Sequence, residues 1–104
     1  MLFYDRQGNQ INSDEAMYLR GQDTYHRVAY TEIEGFSVST VWLGLDHNFV
    51  DNGPPIIFET MIFYPGTYDE CYCDRYATEK EAVEGHQKAV DWLLEKGLLL
   101  WACH

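Results

Sequence analysis

The stretch Phe36-Ser37-Val38-Ser39-Thr40-Val41-Trp42-Leu43-Gly44-Leu45 decides the fold class, because its side chains follow the two-residue period of a strand. Phe36, Val38, Thr40 and Trp42 share one face, Ser37, Ser39, Val41 and Leu43 the other, and the face carrying the two large aromatics is expected to look inward. Upstream, Tyr25 to Glu32 is rich in aromatic and branched residues, and Glu34-Gly35 separates the two runs, so together they read as a hairpin. Downstream, Asp46 to Pro55 concentrates Asp, His, Asn, Gly and two prolines and reads as a loop. Ile56 to Tyr64 follows as a strand with apolar residues on both faces, Ile56, Phe58 and Ile62 against Ile57, Met61 and Phe63, which places it centrally. Pro65-Gly66 ends it, and the more polar run Tyr68 to Tyr76 reads as an edge strand.

Thr78-Glu79-Lys80-Glu81 is a capping box, with the Thr78 hydroxyl expected to accept the Glu81 amide and the Glu81 carboxylate to return to the amide of Thr78. The helix it opens is expected to run to about Lys96, to bury a stripe of Ala82, Val83, Ala89, Val90, Leu93 and Leu94, and to stop at Gly97. At the other end, Phe3-Tyr4-Asp5 and Gln10-Ile11 around Gly8-Asn9 read as a small hairpin. Ser13 is the expected N-cap of a short helix over Asp14 to Arg20, closed by Gly21. The expectation is one α+β domain over residues 1–104: an antiparallel sheet of about four strands, packed on one face by a C-terminal helix, with a short N-terminal hairpin and helix.

With 104 residues, 17 Asp and Glu against 7 Lys and Arg, and a formal net charge of -10, the chain has room for one core and is a poor phosphate binder. Direct nucleic-acid binding is therefore not expected. Met1 to Arg6 shows no basic leader followed by an apolar run, and the apolar stretch from Leu98 falls far short of the roughly 18 residues that span a bilayer. No membrane association is expected. Three cysteines are odd in number and too few for a disulfide framework, which points to the cytoplasm.

Two constellations could carry chemistry. Asp46-His47-Asn48 at a strand end, Glu59 on the next strand and His86 on the helix could hold a divalent metal that activates water, or form an acid and base pair without one. Their spacing matches no defined metal motif, and turn chemistry alone accounts for Asp46 and Asn48. His86 falls within the helix stripe, so it should be buried toward the sheet, either paired with a carboxylate, Glu59 being the nearest choice, or bonded as a neutral core histidine to a neighbouring strand. Cys71, Cys73, Cys103 and His104 add up to a Cys3His zinc set, but an i, i+2 cysteine pair on a strand is not the usual knuckle spacing, and free thiols are the simpler reading. No metal and no cofactor is assigned.

The blocks Phe3 to Asn9, Val38 to His47, Pro54 to Met61, and Arg75-Tyr76-Ala77-Thr78 with Glu81-Ala82 and Gly85-His86 resemble a family of small bacteriophage and prophage proteins to which no activity is assigned. The resemblance spans residues 3 to 86 and implies origin, not mechanism. It implies that Trp42, Asp46, His47, Glu59 and His86 belong to a shared pattern, a polar binding pocket, while Cys71, Cys73 and the residues after Gly97 fall outside it. The function it suggests is an accessory protein that binds a host or anti-phage defence component, through an acidic surface that competes for a basic groove. The alternatives are a small metal-assisted hydrolase using Asp46, His47, Glu59 and His86, and an oligomeric structural or small-ligand binding module with the apolar Leu98 to Trp101 tail as its interface.

Overall fold

The computed structural model describes residues 2–48 and 53–97. The hairpin of β1 (Phe3–Tyr4) and β2 (Gln10–Ile11) is followed by α1 (Ser13–Arg20) and the single turn α2 (Asp23–His26). Four antiparallel strands come next, β3 (Arg27–Ile33), β4 (Phe36–Trp42), β5 (Phe58–Phe63) and β6 (Glu70–Tyr76), in the spatial order β3-β4-β5-β6. The last elements among the described residues are α3 (Glu79–Trp92) and a π-helical turn, Leu93–Gly97. This is the expected α+β architecture, with β5 inside the sheet, β6 at its edge and α3 across one face.

Local chemistry explains most boundaries. Glu34 and Gly35 both take positive φ, 52° and 86°, which gives the two-residue turn whose twist suits a hairpin. The strand expected from Tyr25 begins only at Arg27, because residues 23–26 make a helical turn from which the Tyr25 ring meets the Trp42 ring edge-on at 5.0 Å. The cap of α1 is Asn12, not Ser13: its side-chain oxygen accepts the Glu15 amide at 2.8 Å, three residues on, as an N-cap must. β4 ends at Trp42; the Leu43 amide still donates to Ile57 O, and the chain then turns to the N-terminal hairpin, Gly44 O accepting from the Tyr4 amide and Leu45 bridging Phe3, so the hairpin is tied to the sheet end.

The inward face of β4 is the one expected: Phe36, Val38, Thr40 and Trp42 are buried. On β5 the buried set is Phe58, Thr60 and Ile62, with Glu59, Met61 and Phe63 half-buried on the opposite face. The helix is rotated relative to the expected stripe. Ala82, Gly85, His86, Ala89 and Leu93 are buried, whereas Val83 and Leu94 are 54% and 53% exposed. The small residues Ala82, Gly85 and Ala89 let the helix approach the sheet closely, which the larger Val83 and Leu94 would prevent. The capping box forms, Thr78 Oγ1 accepting the Glu81 amide at 3.1 Å, but the return bond differs from the expected one: the Thr78 hydroxyl donates to Glu81 Oε1 at 2.9 Å.

The core is two apolar clusters. One gathers Ala16, Trp42, Ile57, Phe58, Tyr76 and Ala82, the other Phe36, Val38, Ile62, Ala89 and Leu93. On each element that spans both, the residue between them is polar: Thr40 between Val38 and Trp42, Thr60 between Phe58 and Ile62, His86 between Ala82 and Ala89.

Candidate functional site

Those polar residues meet in a seam across the covered face of the sheet. His86 reaches down from α3, its Nδ1 2.7 Å from Thr40 Oγ1 and its Nε2 2.9 Å from Thr31 Oγ1. Thr40 Oγ1 lies 2.5 Å from Thr60 Oγ1 on the neighbouring strand, the two residues being directly paired in register. Each ring nitrogen therefore has a hydroxyl that can donate or accept, so a neutral imidazole is fully satisfied in either tautomer. Burial lowers the His86 pKa from its ordinary value, which keeps the ring neutral. Tyr76 on β6 closes the fourth strand's share. Its phenol is pushed up to about 12 by burial, with the Thr60 hydroxyl tempering the shift, and its oxygen makes no hydrogen bond of acceptable geometry. The ring lies so close to the helix backbone that a Cβ at Gly85 would fall 2.2 Å from Tyr76 Cζ. Glycine is required there.

Of the two expectations for His86, the bond to neighbouring strands is the one realised, and the carboxylate pairing is corrected. Glu59 sits beside Thr60 on β5 and points to the opposite face, where its Oε2 accepts from Arg75 Nε at 2.9 Å. The side-chain period of two makes this unavoidable once Thr60 faces the helix. Cys73 Sγ is 3.8 Å from the same carboxylate oxygen, and its thiol pKa is raised, by burial first and then by Glu59. Cys71 and Cys73 are free thiols, and Cys71 is also raised by burial; Cys103 and His104 lie outside the described residues.

Asp46 and His47 stand at the sheet end and are engaged in the turn. Asp46 Oδ1 accepts the amides of Asn48 at 2.8 Å and Ile56 at 2.9 Å. His47 Nδ1 is 2.7 Å from the Leu45 carbonyl, so this nitrogen carries the proton and donates, while the His47 amide donates to Ile56 O. Trp42 is fully buried, its Nε1–H donating to Tyr4 O at 2.9 Å, and it anchors the N-terminal hairpin instead of lining a pocket. The five residues of the expected pocket thus occupy four places: Trp42 the core beneath the hairpin, Asp46 and His47 the turn, Glu59 the opposite face, and His86 the seam. Among the described residues no three His, Cys, Asp or Glu side chains stand close enough to share a metal ion. Comparison with known family models, curated proteins and solved structures finds no match.

Sequence reading missed Thr31 and Thr40 as the partners of His86, Thr60 as the partner of Thr40, and the packing of Tyr76 against Gly85. The available signal was threonine at inward positions of the alternating strands, since a buried hydroxyl demands a bonding partner.

Outside the core, charge is distributed unevenly. Three of the four arginines turn to their own chain: Arg6 pairs with Glu79 and lies over the Tyr25 ring, Arg27 lies over the Tyr30 ring at 4.8 Å, and Arg75 pairs with Glu59. The exposed side of α3 and its π-helical turn, together with β6 and the residue before it, carry Asp69, Glu70, Asp74, Glu81, Glu84, Asp91 and Glu95, against Lys80, Lys88 and Lys96. No described helix is long and apolar enough to cross a membrane.

Proposed function

We propose that the protein is a phage-type accessory factor that acts by binding, presenting carboxylates to a basic surface of a host or anti-phage defence component. The observation that carries this reading is the partition of charge. Arg6, Arg27 and Arg75 are held by the chain itself, so along the segment from Asp69 to Lys96 seven exposed carboxylates are offset by three lysines alone. Such a field speeds encounter with a cationic partner and repels nucleic acid, which suits a competitor for a phosphate-binding groove. The histidine and threonine chemistry is spent on holding α3 to the sheet, consistent with a scaffold whose working part is its surface.

The test is direct titration against purified basic nucleic-acid enzymes of the host, with and without duplex DNA. The expected result is a partner whose binding is lost when DNA is added and when salt is raised to ~1 M, where screening acts within about 3 Å. Binding indifferent to both, or salt-insensitive self-association lost on removing Leu98 to Trp101, would reject the reading in favour of an oligomeric module.

A further inference from the structure

β6 is an edge strand, and the two sides of its backbone are in different states. Tyr76 O accepts from the Ile57 amide at 3.1 Å, so the main-chain groups of residue 76, and by alternation those of 74 and 72, face β5. Those of Arg75 and Cys73 face outward. The Arg75 amide donates instead to Asp74 Oδ1 at 2.9 Å, and Cys73, Asp74 and Arg75 are all exposed. Asp74 pairs in register with Thr60 and so lies on the helix side of the sheet. There a groove of about 250 Å³ runs between the strand and α3, walled by Asp74, Tyr76, Glu81, Glu84, Gly85 and Lys88. The Tyr76 phenol, 9% exposed and without a hydrogen-bond partner, ends against Gly85 in the wall of this groove.

We infer that this edge docks an extended, basic segment of a partner protein, which adds beside β6 as a fifth strand and lays alternate Arg or Lys side chains into the groove. The inference rests on the binding reading above and names its site. Strand addition supplies main-chain partners for the outward row, with the incoming carbonyl replacing Asp74 at the Arg75 amide and freeing that carboxylate. Every second side chain of an added strand falls on the helix side, where it meets the three carboxylates of Asp74, Glu81 and Glu84 against the single ammonium of Lys88, a balance that attracts cationic side chains. The intervening side chains fall on the face of Arg75 and are best small and neutral. A second copy of this chain is a poor occupant, because a second β6 would bring Glu70 and Asp74 to a groove already walled by Asp74, Glu81 and Glu84.

The experiment uses the full chain and a labelled heptapeptide of alternating arginine and threonine. Two further peptides carry N-methyl groups on one alternate set of amides or on the other, since all amides of one set point to the same side of a strand. The parent peptide should bind at low salt, one methylated form should lose binding while the other keeps it, and the amide resonances of residues 71–76 should shift. The double variant Asp74→Asn with Glu84→Gln, which leaves the Glu81 cap intact, should bind about tenfold more weakly while keeping the wild-type Tm. Equal binding of both methylated forms, with the double variant still weakened, would overturn strand addition yet leave the acidic surface as the binding element. No binding of any basic peptide at low salt would overturn both. A stable dimer whose residue 71–76 amides ignore the peptide would overturn this inference in favour of a second copy at the edge.

Discussion

Glu59 and Thr60 are consecutive residues of β5 and live in opposite environments. Thr60 lies under α3, fully buried, in a chain of hydroxyls that ends on a neutral imidazole. Glu59 lies on the uncovered face, paired with the half-exposed Arg75. The covered face tolerates polar groups only in a closed set of hydrogen bonds, because water cannot complete an open one. On the other face water reaches the ion pair from the half-exposed Arg75, so the set of bonds need not be closed.

The sharpest way to break that contrast is to remove one aromatic from each face. Phe58→Ala, on the covered side, should cost about 3–5 kcal/mol in urea unfolding, while Phe63→Ala on the other side costs clearly less. Equal losses would mean that the second face is as well packed as the first. A finer comparison uses neighbours on β4. Thr40→Val keeps the shape but strips His86 Nδ1 and the Thr60 hydroxyl of their partner, an expected loss of about 1–3 kcal/mol. Ser39→Val, one residue away on the open face, should stay within about 0.5 kcal/mol of wild type.

The smallest effect concerns pH. His86 is held below its ordinary value of 6.5 by burial, so as pH falls below 6.5 the unfolded chain takes up a proton that the folded one resists. Stability is full above that value and declines as pH drops toward the depressed folded pKa, with a slope of at most about 1.4 kcal/mol per pH unit. His26, lowered by burial and then by Arg20, adds to the same slope, so the measurement belongs in a His26→Asn background. There, His86→Gln should flatten the dependence between neutral pH and the acid limb of urea unfolding; an unchanged slope would show that the seam does not exclude the proton.

Much of the architecture was legible in the sequence because it is local. The alternation from Phe36 to Trp42, the Glu34-Gly35 turn, the Thr78 to Glu81 box and the polar character of β6 each depend on residues a few positions apart. The rotation of α3 was less legible, since Val83 and Leu94 fit an apolar stripe as well as Gly85 and His86 do until the closeness of the sheet is known. The candidate site was the least legible part. Trp42, Asp46, His47, Glu59 and His86 look like one polar group along the chain, but parity sends Glu59 to one face and the turn keeps Asp46 and His47 at the sheet end.

By itself, then, the sequence determined the four strands of the sheet, α1 and α3 to within a few residues, though not the turn α2, as well as which face of β4 is buried and an acidic surface with a net charge of -10, all of which follow from spacing and composition. Only the tertiary structure decided that Thr31, Thr40, Thr60 and His86 share one chain of hydrogen bonds and that Tyr76 ends against Gly85, because these contacts join residues up to 55 positions apart and exist only once strand register and helix rotation are set together.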